Sequence, residues 1–102
     1  MTEREFQRKV KRKILETVPD AVVTKTDPTM SQGIPDLLIL LPSGRFAALE
    51  VKTSAEAPHR PNQDYWVEKL DKMGYSTFVY PENLNFVLDT IARISEDIQN
   101  DI

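Results

Sequence analysis

The sequence predicts an α/β fold of order α-β-β-β-α-β-α, with a mixed sheet flanked by helices. Three observations lead there. Apolar residues at helical spacing mark both ends of the chain, two short apolar segments meet around Pro42-Ser43-Gly44, and a strand–helix–strand step runs through residues 45–80. At 102 residues, the span 1–102 is expected to be one domain, without internal repeat or low-complexity segment.

Thr2 followed by Glu5 has the spacing of a capping box, and good helix formers continue to about Thr17. Phe6, Val10 and Ile14 would form the buried stripe of this helix, with Glu3 near the edge of the same face. Pro19-Asp20 ends it. Residues 21–25 are short and β-branched, as an edge strand is, and residues 27–33 hold Pro28, Ser31 and Gly33 and form a loop. Residues 36–41 and 45–52 are the arms of a hairpin. The run Leu37-Leu38-Ile39-Leu40-Leu41 is apolar on both faces, the pattern of a central strand covered on both sides. Residues 53–61 form a second loop. A helix opens at Pro61, takes its apolar contacts from Tyr65, Trp66, Leu70 and Met73, and stops at Gly74. Residues 76–80 alternate into a strand that a right-handed crossover makes parallel to its predecessor. Leu84, Val87, Leu88, Ile91, Ile94 and Ile98 trace an amphipathic helix within 82–102.

Composition removes several classes of chemistry. Without cysteine there is neither a disulfide framework nor a thiolate metal site, and the lone His59 excludes a histidine-rich zinc centre within one chain. A bound metal must therefore sit among oxygen ligands, which suits magnesium, manganese or calcium. The longest apolar run is too short to span a bilayer, and the charged N-terminus lacks a signal-peptide core, so a cytoplasmic location is expected. The net charge is −3, but it is unevenly spread. Arg4, Arg8, Lys9, Lys11, Arg12 and Lys13 crowd the first helix, while Glu82, Asp89, Glu96, Asp97 and Asp101 dominate the tail. That asymmetry fits a basic face for phosphate; a solvated helix surface fits equally well.

The chemistry concentrates in Asp36 and Glu50-Val51-Lys52. Side chains alternate along a strand, so Glu50 and Lys52 share a face. If Pro42-Ser43-Gly44 is a three-residue turn with Gly44 left-handed, Leu41 faces Arg45 and Asp36 lies opposite Glu50. A two- or four-residue turn would move Asp36 to the other face. Opposed residues on one face bring their β-carbons to roughly 4.5–5.5 Å, where two carboxylates repel unless a divalent cation sits between them. Such a cation polarises a phosphoryl oxygen, and Lys52 beside it would orient water or stabilise charge growing on phosphorus. Singly, Asp36 is explained as a turn residue after proline, and Glu50 with Lys52 as an exposed ion pair. Together, acids at the ends of apolar strands are costly without a function.

These residues resemble the PD-(D/E)XK nucleases of restriction-endonuclease-like fold, and within them the VRR-NUC (virus-type replication-repair nuclease) family. The matching features are Gly33-Ile34-Pro35-Asp36-Leu37-Leu38 and Gly44-Arg45-Phe46-Ala47-Ala48-Leu49-Glu50-Val51-Lys52. Pro61-Asn62-Gln63, Met73-Gly74-Tyr75 and Thr2-Glu3 with Phe6-Gln7 complete the set. The resemblance implies metal ligation by Asp36, Glu50 and the Val51 backbone carbonyl, with Glu3 binding the metal directly or through water. It makes Lys52 the catalytic lysine and Gln63 a supporting residue. It also implies a Mg²⁺- or Mn²⁺-dependent deoxyribonuclease, with Arg4, Arg8, Lys11, Lys25 and Arg60 as DNA contacts. The loop before Gln63 departs from the family's glycine-rich, basic pattern, since it carries Glu56; His59 and Arg60 are its only candidates to approach DNA. Stand-alone domains similar to this one come from phages or bacteria and act as homodimers on branched DNA such as four-way junctions, whereas members within larger repair proteins cut flaps. A catalytically silent DNA-binding module is the further alternative. The isoleucines at 91, 94 and 98 are either a dimer seam or the face that packs on the sheet.

Overall fold

The computed structural model describes the backbone of residues 1–100 and the side chains of residues 1–96. Its elements are α1 (Glu3–Thr17), β1 (Val22–Lys25), β2 (Leu37–Leu40), β3 (Phe46–Val51), α2 (Gln63–Met73), β4 (Tyr75–Val79), one 3-10 turn (Pro81–Asn83) and α3 (Leu84–Asn100). The expected order is present. The four strands lie in the order β1-β2-β3-β4, antiparallel except for the parallel β3–β4 pair that α2 connects.

Thr2 and Glu5 form the capping box, each bonding the other's backbone N–H at 3.1 Å. Two of the orphan donors at the start of α1 are thereby satisfied. Phe6, Val10 and Ile14 are buried against Leu37, Ile39, Ala47, Leu49 and Val51, the odd-numbered strand residues. Leu84, Val87, Leu88 and Ile91 of α3 close the same core. This settles the two alternatives for the α3 isoleucines in part: Ile91 is fully buried and Ile94 packs on the core, whereas the side chain of Ile98 lies outside the described residues. Burial at roughly 1.5–3 kcal/mol for each large apolar side chain makes this α1–sheet–α3 core the main source of stability.

α2 covers the opposite face of β3 and β4, and here the sequence pattern misleads. Tyr65 and Met73 are exposed, while Val67 and Gln63 are the buried residues of the helix. The helix also begins at Gln63 rather than Pro61, because Asn62 takes a left-handed conformation (φ 69°) that no helix propagates. β2 is not covered on both sides as its composition suggests. α2 does not reach the β1–β2 half of its face, so Leu40 and its cross-strand neighbour Val22 face solvent. β3 is buried from Ala47 to Val51, with Phe46 half-buried at its start. Among the described residues no helix is long and apolar enough to cross a membrane.

Candidate active site

The hairpin decides the site. Leu41 N–H donates to Arg45 O at 3.0 Å and Gly44 N–H to Leu41 O at 2.9 Å, closing a turn with Gly44 at φ +88°. The ladder pairs Leu40 with Phe46 and Leu37 with Leu49, so the next step brings Asp36 opposite Glu50. The three-residue register expected from Pro42-Ser43-Gly44 is therefore the observed one. Thr26 fixes the entry to β2: its N–H donates to Asp36 O at 2.9 Å and its hydroxyl to Pro35 O at 2.7 Å.

Asp36 and Lys52 lie one residue outside their strands, and both remain tied to the sheet. The Asp36 carboxylate accepts from the Val51 N–H at 3.0 Å, and the Lys52 N–H donates to Val79 O at 2.8 Å. Glu50 is 3% exposed and Lys52 is 5% exposed, far too little for an ion pair on an open strand. The Lys52 ammonium donates to the Pro58 carbonyl at 3.1 Å. Glu50 Oε1 is buried and makes no hydrogen bond to any described residue.

Burial pushes the Glu50 carboxyl up to about 9. The hydrogen bond it shares with Asp36, the Asp36 charge and the more distant Glu3 charge add to the shift, and Lys52 opposes it. An acid so placed is short of positive charge. The orphaned Oε1, the facing Asp36 and a wholly oxygen donor set fit a hard divalent cation. Among the described residues no three acidic or imidazole side chains converge tightly enough to cage an ion. Glu3 lines the same cavity as the acid pair, and its charge adds to the upward shift of Glu50.

Glu3, Asp36, Glu50, Lys52, Arg60 and Gln63 line one cavity of about 280 Å³. Gln63 acts on its rim: its Oε1 accepts from the Arg60 N–H at 2.8 Å, and its own N–H donates to Arg60 O at 3.2 Å. A second cavity of about 490 Å³ shares Glu3, Asp36 and Arg60 and adds Arg4, Gln7 and Lys25. The groove continues past Arg8 and Lys11. Of the five expected DNA contacts, Arg4, Lys25 and Arg60 line the cavity that includes Asp36, and Arg8 and Lys11 line the one that shares Arg4, Gln7 and Lys25 with it. Lys13 and Arg12 pair instead with Glu16, at 3.6 and 3.8 Å.

The loop at 27–33 had no assigned role, yet Pro28, Gln32 and Gly33 form one wall of the cleft. Gly33 (φ +87°) sits so close to Pro61 and Asn62 that a β-carbon would meet their atoms at 2.7–2.8 Å. The Trp66 indole N–H donates to Gln32 O at 3.1 Å. The glycine and proline were visible in the sequence; the contact across some thirty residues was not.

The profile of the VRR-NUC domain matches residues 2–80. A solved structure described as a VRR-NUC domain shares 26% identity and superposes with a TM-score of 0.62, covering 80% of this chain and 92% of its own. A second, described as a VRR-NUC domain protein, shares the fold at 20% identity and a TM-score of 0.65, covering 96% of this chain and 90% of its own. No curated protein matches the sequence. With the hairpin register, the buried acid and the lysine in place beneath that match, the chain belongs to the VRR-NUC family and has a nuclease-type fold.

Proposed function

We propose that the protein is a divalent-metal-dependent DNA endonuclease, selective for branched duplexes such as four-way junctions and acting as a homodimer. The observation that carries this is the buried Glu50 facing Asp36 with Lys52 beside them. Asp36 and Glu50, with the Val51 carbonyl, would hold a Mg²⁺ or Mn²⁺ ion, and Glu3 would bind it directly or through water. When bound, such an ion supplies Lewis-acid polarisation of a phosphoryl oxygen and a lowered pKa for the attacking water. Lys52 brings a fixed positive charge to the place where the phosphorane becomes negative, in a cleft that screens little. Gln63 braces the Arg60 backbone, and Arg60 with Arg4, Lys25, Arg8 and Lys11 receives successive phosphates.

These contacts are of the phosphate-binding kind, and no recognition helix or base-reading motif is apparent among the described residues. Selection then falls to DNA shape and deformability. Each chain carries one set of acids, so a pair of opposed nicks calls for two copies. Incubation with a four-way junction and a linear duplex of the same sequences, with and without Mg²⁺, tests the proposal. The expected outcome is metal-dependent nicking at the junction by a species of twice the chain mass. Cleavage without metal, or cutting that follows one short sequence in both substrates, contradicts it.

A further inference from the structure

We propose that His59 is a positioning residue: stacked on Phe78, it fixes the Pro58 carbonyl that holds the Lys52 ammonium. The inference rests on the nuclease reading for its catalytic consequence, though not for its structural content.

A buried ammonium must find acceptors within the protein, and the acceptor of Lys52 is a loop carbonyl rather than a carboxylate. Pro58 belongs to the stretch between β3 and α2, outside any ladder that would hold its carbonyl still. What holds it is its sequence neighbour. The His59 ring lies flat on Phe78, centroids 3.9 Å apart and planes inclined by 12°. Its Nδ1 is 2.7 Å from Asp64 Oδ1, in the first turn of α2. One residue further, the reciprocal Arg60–Gln63 bonds pin the chain again. Phe78 pairs with Glu50 across the β3–β4 ladder. The stack therefore stands on the strand position next to the acid, and the lysine beside that acid is held from above by the stacked residue's neighbour.

The two His59 contacts are unequal. The pair with Asp64 is largely solvated, with side-chain exposures of 37% and 68%, and contributes little. The stacked ring contact, which covers apolar surface of the half-buried Phe78, is the larger of the two. Replacing Asp64 should therefore matter less than removing the ring.

The test reads Lys52 directly. In metal-free protein labelled with ¹⁵N-lysine, the Lys52 ammonium, assigned by its loss in Lys52→Arg, gives a ¹H–¹⁵N signal shielded from water exchange. His59→Ala should accelerate that exchange about tenfold or more, while β3 amide protection stays intact. His59→Phe keeps the stack and should preserve the signal, Asp64→Ala should change it little, and Phe78→Leu should reproduce His59→Ala from the other side of the contact. In cleavage assays, His59→Ala should lower kcat by about tenfold with unchanged KM for DNA, the size usual for residues that orient a reacting group. His59→Phe should restore it. A Lys52 signal unmoved in both His59→Ala and Phe78→Leu, or lost equally in His59→Phe, overturns the assignment. A wild-type protein inert on DNA that still shows the expected Lys52 pattern strikes only the nuclease reading and leaves the positioning role standing.

Discussion

Glu50 illustrates how one residue can record its partner through its protonation. Burial first, then the facing Asp36, raises its carboxyl from 4.5 to about 9, so the folded chain holds a proton that the unfolded chain has released. Folding stability from this group is therefore fully present below pH 4.5 and is lost as pH climbs toward about 9. Metal-free wild type should show a melting temperature that falls across that window, and Glu50→Gln should flatten the slope. A cation that takes the place of the proton should raise the wild-type melting temperature more at pH 8 than at pH 6 and leave Glu50→Gln unmoved. Thermal scans at the two pH values, with and without Mn²⁺, check the sign. Equal metal-induced shifts in both proteins would place the ion elsewhere.

At the scale of elements, two glycines with the same backbone angle separate conformation from packing. Gly44 and Gly33 have φ of +88° and +87°, but a β-carbon at Gly44 meets nothing within 4 Å, whereas at Gly33 it meets the Pro61–Asn62 backbone. Gly44→Ala should cost only the left-handed penalty, about 1–2 kcal/mol, or a fall of roughly 4–8 °C for each of these kcal/mol in a domain of this size. Gly33→Ala should cost more and also part the loop at 27–33 from α2, opening the cleft and slowing cleavage. Calorimetry beside activity separates the two. Inserting one residue into the turn at 42–44 should abolish activity outright, because it moves Asp36 off the Glu50 face.

The same elements show what a sequence can reveal. The hairpin register followed from counting, since a period of two and a glycine at the left-handed position leave few choices. The α1 stripe and its capping box followed from local spacing. The α2 contacts did not: which helical face is buried depends on where the sheet lies, and Val67 with Gln63 faces inward while Tyr65 and Met73 do not. The wall at 27–33 and the His59–Phe78 stack join residues far apart in the chain, a relation that no local pattern encodes.

Over the whole molecule, an acidic chain presents a basic groove. Arg4, Lys25 and Arg60 line a cavity that includes Asp36, and Arg8 and Lys11 the cavity adjoining it, in a chain whose net charge as a whole is −3. Arg8→Ala and Lys11→Ala should each weaken junction binding at all sequences alike and reduce the slope of log K against log salt by about 1. Lys13→Ala, at a residue already engaged by Glu16, should leave the slope unchanged. Fluorescence anisotropy across a salt series measures this; a slope insensitive to Arg8 and Lys11 would remove the groove as the DNA path. The most direct test of the central claim is the single-turnover cleavage rate of a four-way junction in Mg²⁺ by wild type and Lys52→Ala, at protein concentrations that saturate binding of both. The account predicts a metal-dependent wild-type rate and a loss of about 10²–10³-fold in the variant, the usual cost of removing one preorganised transition-state partner; equal rates in the two proteins, or a rate indifferent to Mg²⁺, would contradict it.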